Sequence, residues 1–234
     1  MFPLRDTIPS KRFPLVNFIL IGLNVWAFFI ELSLGSAVQN FIQAYGFVPA
    51  RLTHPAAYGV TSLYAVLTIF TAMFLHGGWI HIIGNMWFLW IFGDNVEDAM
   101  GHGRYFLFYL ISGLAATFAQ YAINPASTVP NIGASGAIAG VMAAYVLLYP
   151  RAKVITLLII IIFIDIVEIP AFVFILIWFA LQLISGLAAL PSAHMATGGV
   201  AYFAHIGGFA AGLVLVWFFR EKKRAAYEDE FLPW

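Results

Sequence analysis

Cysteine and charged residues are the two classes that this sequence lacks or uses sparingly. None of its 234 residues is cysteine, which excludes a disulfide scaffold, a thiolate zinc site and a cysteine nucleophile. Only 9% of the residues are charged, whereas an average soluble protein has about 25%. The formal net charge at pH 7 is zero, so no overall basic field is present to attract nucleic acid. We therefore expect neither a water-soluble globular domain nor a nucleic-acid partner.

The sequence is instead rich in hydrophobic residues, which form long apolar segments. Hydrophobic residues make up 62% of the chain and aromatic residues 17%, a composition that suits a protein in a lipid bilayer. A helix needs about 20 apolar residues to cross the bilayer, and six segments approach that length. They are 15–34, 79–94 with a continuation toward 99, 105–122, 132–149, 169–190 and 199–219. This pattern predicts an all-α polytopic membrane protein, with a cytoplasmic tail at 1–14, a six-helix membrane domain at 15–220 and a second cytoplasmic tail at 221–234.

The distribution of basic residues predicts the orientation of these helices. Cytoplasmic loops of membrane proteins collect Lys and Arg, and ten of the 11 basic residues fall on one side of the six-span plan. Only Arg51, in the loop after the first span, falls on the other side. We therefore expect both termini in the cytoplasm, with the second, fourth and sixth spans running from outside to inside. The first span lacks a cleavage pattern and is expected to remain as an anchor.

Two further apolar stretches, 61–75 and 154–164, compete for additional spans. The first ends at Gly77 and Gly78, directly before the second span, which leaves no loop for a return crossing. The second has about 11 residues, too few for a spanning helix. We interpret both as membrane-associated segments that pack on the bundle or lie near an interface. Counting only one of them as a span would place the two termini on opposite sides, whereas counting both would return them to the same side, so this alternative stays open.

Polar residues at membrane depth are costly, and they usually mark either function or a buried packing face. In the first span Asn17, Asn24 and Glu31 recur every seven residues, so they share one side of a helix. This side carries neither histidine nor serine. We interpret it as a packing face that bonds to neighbouring helices.

Three later spans carry polar residues of the types that take part in catalysis. His81 and Asn85 are four residues apart on the second span and share one helix face. Ser135 lies among glycines at the start of the fourth span, where the unpaired N–H groups of a helix N-terminus can stabilise an anion. His205 lies about two turns into the sixth span, with glycines on the same side. Close approach of the fourth and sixth spans through their glycines would bring His205 to Ser135.

These residues meet the requirements of acyl transfer. A serine hydroxyl becomes a good nucleophile when an imidazole takes its proton, and Ser135 with His205 supplies that pair. Side-chain N–H groups of His81 and Asn85, with the backbone N–H of Ser135, would stabilise the oxyanion. The usual third member is a carboxylate that orients the histidine, but the acidic residues fall toward the cytoplasmic side or far along the first span. The sequence therefore predicts a Ser-His dyad.

At this point the chain resembles the rhomboid intramembrane serine proteases. The resemblance runs through HGGWIHIIGNMWFL, FGDNVEDAMGHGRYFLFYLISG, NIGASGAIAG, YPRAKV and AHIGGFAAG, and the ordered set HxxxxHxxxN, GxSG and AHxxG is highly specific. It implies a rhomboid-like six-helix bundle with a membrane-associated loop between the first two helices. It also implies that Ser135 is the nucleophile, His205 the general base, and His81 and Asn85 the oxyanion hole.

The activity implied by the resemblance is cleavage of transmembrane-helix substrates near the outer membrane face, without metal or other cofactor. The resemblance places the approach of the substrate beside the fifth span, where Trp178 and Phe179 are bulky packing residues. One departure is Ala139, one turn after the serine, where some members carry an aromatic residue that stacks on the histidine. We therefore expect His205 to be positioned differently in this chain.

Two other classes of function are kept as alternatives. A His-ligated metal or haem membrane protein would use His76, His81 and His205, although the chain lacks cysteine and Asn85 is a poor ligand for transition metals. A non-proteolytic rhomboid-like chaperone or transporter would share the same scaffold. The protease is the favoured interpretation, with transmembrane proteins as partners and a prokaryotic cell membrane as its location. The sequence predicts no oligomeric state.

Overall fold

The computed structural model describes residues 2–160, 163–190 and 201–221. Within these ranges the helices are α1 Leu15–Ser33, α2 Val38–Tyr45, α3 Pro49–Thr53, α4 Ser62–Ala72, α5 Trp79–Met100, α6 His102–Ile123, α7 Ser135–Leu148, α8 Ala171–Ala189 and α9 Tyr202–Phe219. The strands are β1 Phe2–Asp6, β2 Lys153–Ile160 and β3 Phe163–Pro170. Each of the six segments predicted to span the membrane corresponds to one helix of between 14 and 22 residues.

Four helices in the described part of the chain, α1, α6, α8 and α9, are long and apolar enough to cross a membrane. Such helices indicate an integral membrane protein. The other two helices that correspond to predicted spans differ from them: α5 has 22 residues but carries Asp94, Glu97 and Asp98 near its C-terminal end, and α7 has only 14 residues, of which ten are buried. The short helix α7 therefore lies at the centre of the bundle, enclosed by its neighbours.

Glycines allow α7 and α9 to pack backbone against backbone. A Cβ atom on Gly208 of α9 would overlap the carbonyl oxygen of Gly136, and one on Gly212 would overlap that of Gly140. A Cβ on Gly136 would meet Ala116 of α6 at 2.5 Å. Any larger residue at these positions would push the helices apart. The predicted close approach of the fourth and sixth spans is therefore confirmed.

The acidic end of α5 is used in packing. Glu97 accepts hydrogen bonds from the backbone N–H groups of Val16 and Asn17 at 2.9 and 2.7 Å, which satisfies free donors at the N-terminus of α1. The Asn17 side chain donates to the Leu89 carbonyl at 3.0 Å and accepts from the Tyr105 hydroxyl at 2.8 Å. These contacts agree with the packing role expected for the polar face of the first span.

The long connection between α1 and α5 is folded into short helices, α2 to α4, and is attached to the segment before α7. The backbones of Phe47 and Asn131 exchange hydrogen bonds of 3.2 and 2.7 Å. The N–H of Gly133 donates to the carbonyl of Ala72 at 2.9 Å. The first loop therefore holds the chain immediately in front of Ser135.

A three-stranded antiparallel sheet corrects the all-α prediction. β2 and β3 form a hairpin, and β1 pairs with β2 so that Phe2 is opposite Leu157 and Asp6 is opposite Val154. The run from 154 to 164 contains four consecutive isoleucines, and β-branched residues favour extended strands over a helix. Residues 2–6 of the N-terminal tail form one edge strand of this sheet.

The alternative with two extra helical spans is wrong. The stretch 61–75 contains α4, a helix of 11 residues, which reaches only about 16 Å and is too short to cross a bilayer. The described part of 154–164 is strand. Periodicity alone does not distinguish a short buried helix from a strand, which is why the sequence left this choice open.

Candidate active site

Ser135 and His205 are in direct contact. Ser135 is the first residue of α7 and His205 is the fourth of α9, so the close packing of these helices brings their N-terminal ends together. Oγ of Ser135 lies 2.7 Å from Nε2 of His205. At this hydrogen-bond distance the hydroxyl proton can pass to the ring. The two residues predicted as a pair are thus adjacent.

The second ring nitrogen of His205 is bonded to Gln182 of α8. Oε1 of Gln182 lies 2.7 Å from Nδ1 of His205. An amide oxygen only accepts hydrogen bonds, so Nδ1 carries the ring proton and Nε2 accepts from Ser135. Gln182 is not among the residues that the sequence predicted for the site. It is, with Ser185, one of the two polar side chains in apolar α8, and polarity at membrane depth was the pattern that could have revealed it.

Trp178 lies against the His205 ring from the same helix. The ring centroids are 5.7 Å apart, with an interplanar angle of 39°. Trp178 and Gln182 are four residues apart and therefore on one face of α8. Ala139 has no ring to offer from α7, so the aromatic contact to His205 comes from α8.

His81 and Asn85 lie in the first turns of α5, beside the segment that leads into Ser135. A Cβ atom on Gly133 would lie 2.7 Å from Nε2 of His81 and 3.7 Å from Nδ2 of Asn85. Gly133 has a φ of +119°, a backbone conformation that favours glycine. The chain before Ser135 therefore runs directly against both side chains, and only glycine leaves room for them.

Two hydrogen bonds set which atoms of His81 and Asn85 face the site. The N–H of Gly77 donates to Nδ1 of His81 at 3.3 Å, which places the ring proton on Nε2. Nδ2 of Asn85 lies 2.9 Å from Nε2 of His76, so one amide N–H is used and the second remains available. Both side chains therefore offer an N–H donor, which is what an oxyanion requires.

Glu31 supports this side of the site from α1. Its carboxylate accepts from the backbone N–H of His76 at 3.1 Å, and His76 in turn holds Asn85. Glu31, the last residue of the polar face of the first span, therefore supports His76 and, through His76, Asn85. Spacing along the chain did not indicate this connection, because it joins α1 to the loop before α5.

A cavity of about 1070 Å³ surrounds these residues. Its lining includes Ser135, His205, His81, Asn85 and Trp178. Pockets for small molecules commonly measure about 300–1,000 Å³, so this cavity lies at the upper end of that range.

The geometry does not favour the metal or haem alternative. Among the residues that the structure describes, no group of three or more histidine and acidic side chains is placed to hold a metal ion. Both ring nitrogens of His205 are engaged, by Ser135 and Gln182. Those of His76 face Asn85 and the carbonyl of Phe74. No lone pair is therefore directed toward a common centre by His76 and His205.

Comparison with known proteins agrees with the resemblance. The Rhomboid family model, described as a rhomboid domain, matches residues 64–222. The chain is 30% identical over 210 residues to rhomboid-like protein 11, chloroplastic, of Arabidopsis thaliana, a match that covers 88% of this chain and 68% of that protein.

Two other relatives match over shorter stretches. Identity is 31% over 132 residues to rhomboid protease GluP of Bacillus subtilis, covering 56% of this chain and 24% of GluP. It is 34% over 89 residues to presenilin-associated rhomboid-like protein A, mitochondrial, of Danio rerio, covering 37% of this chain and 23% of that protein. The chain thus spans about a quarter of these two proteins. Because the relatives come from a chloroplast, a bacterium and a mitochondrion, they do not assign this chain to a prokaryotic membrane.

Proposed function

The chain belongs to the rhomboid family, and we propose that it is an intramembrane serine endopeptidase that cleaves transmembrane-helix substrates. The observation that carries the proposal is the 2.7 Å contact between Oγ of Ser135 and Nε2 of His205, with Nδ1 of the ring bonded to Gln182. A non-proteolytic chaperone on the same scaffold has no need for a hydroxyl at proton-transfer distance from an oriented imidazole.

In the proposed reaction Oγ of Ser135 attacks the carbonyl carbon of the scissile peptide bond while His205 takes the hydroxyl proton. The carbonyl oxygen becomes an oxyanion, which accepts hydrogen bonds from His81, Asn85 and the backbone N–H of Ser135. The imidazolium of His205 then donates its proton to the leaving amine. Water, deprotonated by His205, hydrolyses the acyl-enzyme and releases the carboxylate product and the free serine.

The depth of the site follows from the length of α7. Fourteen residues reach about 21 Å at about 1.5 Å per residue, whereas the hydrocarbon core measures about 30 Å. With its C-terminal end at the inner surface, α7 places Ser135 about 10 Å below the outer one. The cavity in front of Ser135 then admits water from outside, as hydrolysis requires.

For the arrangement in the membrane we propose six spans, α1 and α5 to α9, with both termini on the cytoplasmic side. The membrane domain then covers 15–220 between tails at 1–14 and 221–234. The first tail contributes β1 to the sheet, and the second lies, apart from Glu221, outside the described residues. Substrates cut near the outer face reach Ser135 from within the lipid.

The proposal is tested by cleavage of a transmembrane reporter by the purified protein in liposomes. Ser135→Ala and His205→Ala should each abolish cleavage with the fold retained, and the double variant should be no worse than either, because the two residues act as a unit. Labelling of Ser135 by a fluorophosphonate reports the nucleophile separately. Ser33→Ala, at an exposed serine of α1, is the matched control and should cleave normally. Normal cleavage by the Ser135→Ala protein would reject the proposal.

A further inference from the structure

We propose that Gln182 is a positioning residue for His205, so that the site works as a serine–histidine–glutamine triad assembled from α7, α9 and α8. The inference rests on the proposed function, because it assigns a role within the same site. It replaces the dyad that the sequence predicted with three side chains joined by two hydrogen bonds, each of 2.7 Å.

The direction of the Gln182 amide determines whether His205 can act as a base. With Oε1 facing Nδ1, the ring proton is on Nδ1 and the lone pair of Nε2 points at the hydroxyl of Ser135. With the amide reversed, its NH₂ group would donate to Nδ1 and the ring proton would move to Nε2. That tautomer cannot take the serine proton. Gln182 therefore selects the reactive tautomer as well as the ring orientation.

The amide oxygen also suits the charge that develops during the reaction. When His205 becomes imidazolium, its Nδ1–H bond to Gln182 becomes a charge-assisted hydrogen bond, which is stronger than a neutral one. A carboxylate in this position would do the same, but an ionised acid at membrane depth carries a large desolvation cost. In the described structure the hydrogen-bond partners of the ring are Ser135 and Gln182, and His81 is the titratable side chain that shares the cavity.

Gln182 and Trp178 hold the ring together from one face of α8. Gln182 bonds the edge of the ring, and Trp178 contacts it at 5.7 Å between centroids. Helix α8 therefore restrains both the rotation and the tilt of the His205 ring. Because Trp178 supplies packing and Gln182 supplies the hydrogen bond, substitutions of Gln182 that keep its size can separate the two effects.

The experiment compares Gln182→Leu, which keeps the bulk but removes the acceptor, with Gln182→Glu, which keeps the acceptor and adds charge. The readouts are the pH dependence of fluorophosphonate labelling at Ser135, and kcat and KM for the liposome reporter. Ile184→Ala, at an exposed position of α8, is the matched control and should behave as the unmodified protein.

We expect Gln182→Leu to lower the labelling rate and kcat by about tenfold to a hundredfold, the range for a lost hydrogen bond to a charged group, with KM unchanged. Gln182→Glu should recover most of the rate, with the acidic limb of its pH profile displaced to higher pH, because a carboxylate stabilises the imidazolium. A purely structural residue would not move the pH profile.

Three results would overturn the inference. They are normal labelling of the Leu variant, equal loss in the Leu and Glu variants with an unshifted pH profile, and normal labelling of Gln182→Asn, whose shorter side chain withdraws the oxygen from Nδ1. The Asn variant keeps the test decisive should the Leu variant fail to fold. Failure of the unmodified protein to label or cleave would instead reject the proposed function.

Discussion

Nδ2 of Asn85 lies 2.9 Å from Nε2 of His76, so a fully enclosed histidine holds the amide that faces the cavity. His76 is only 1% exposed, and its Nδ1 faces the carbonyl of Phe74 at 3.3 Å. The ring proton is therefore on Nδ1, and Nε2 accepts from Asn85. This bond fixes the orientation of the Asn85 amide and leaves its second N–H available to donate.

Asn85→Ala should lower the cleavage rate by about a hundredfold, since loss of one oxyanion donor costs about 3 kcal/mol. The loss should be smaller than that of Ser135→Ala, because His81 and the backbone donor remain. Asn85→Asp, which has the same shape but carries negative charge beside the oxyanion, should be slower still. Rates are measured on the liposome reporter. An Asn85→Ala rate within threefold of the unmodified protein would remove Asn85 from the oxyanion hole.

Gly133→Ala should disrupt the oxyanion side of the site without touching either member of the reacting pair. The new Cβ would lie 2.7 Å from Nε2 of His81, at a φ of +119° that disfavours any side chain. We expect more than a tenfold loss of cleavage and a lower melting temperature. Gly22→Ala on α1, where an added Cβ meets nothing within 4 Å, is the matched control. Unchanged cleavage by Gly133→Ala would contradict the placement of His81.

The two bulky residues of α8 that the sequence grouped together should have opposite effects. Phe179 stacks on Phe209 of α9 at 4.3 Å between centroids, whereas Trp178 contacts His205. Phe179→Ala should loosen α8 and speed cleavage of the lipid-embedded reporter while fluorophosphonate labelling of Ser135 stays the same. Trp178→Ala should slow labelling, because it frees the His205 ring. A parallel change of both rates in the Phe179→Ala protein would mean that this residue affects catalytic geometry rather than access.

The six-span arrangement predicts the sidedness of reporter fusions. A fusion after Pro125, between α6 and α7, should report the outer side, and a fusion after Phe219, at the end of α9, should report the cytoplasmic side. The physical basis is the ten-to-one asymmetry of basic residues. The measurement is enzymatic activity of a compartment-sensitive reporter in cells. The same side for both fusions would refute the arrangement and the proposed depth of Ser135.

Asp6 should make the stability of the protein depend on pH. Burial raises the pKa of Asp6 from its ordinary 3.8 to about 7, and nearby Asp94 adds to the shift, whereas the hydrogen bond from Tyr145 opposes it. The folded state therefore binds more protons than the unfolded state between about pH 4 and 7, so stability falls as pH rises through this window.

Asp6→Asn should weaken this dependence and raise the melting temperature at pH 8 relative to the unmodified protein. Thermal unfolding in lipid bicelles between pH 4 and 8 provides the measurement. The control is Asp165→Asn, at an exposed carboxylate of β3, which should leave the pH dependence in place. Identical curves for the Asp6→Asn and unmodified proteins would show that Asp6 is not the titrating group.

The sequence by itself determined the membrane class, the positions of the long helices and the residues that meet at the centre of the site. These features depend on the length of apolar runs and on local spacing, such as the four residues between His81 and Asn85. The glycines of α7 and α9 were also sufficient to predict that Ser135 and His205 would approach each other, because close packing of two helices needs small residues on both.

Only the tertiary structure revealed the β-sheet and the residues that support the site from α8 and α1. β1 and β2 pair across about 150 residues of chain, and a short isoleucine-rich run fits a strand or a buried helix equally well until its partner is known. Gln182 reaches His205 from α8, and Glu31 reaches His76 from α1. Such contacts depend on how each helix is rotated and placed against its neighbours, and the spacing of polar residues along one helix does not specify which residue of another helix it meets.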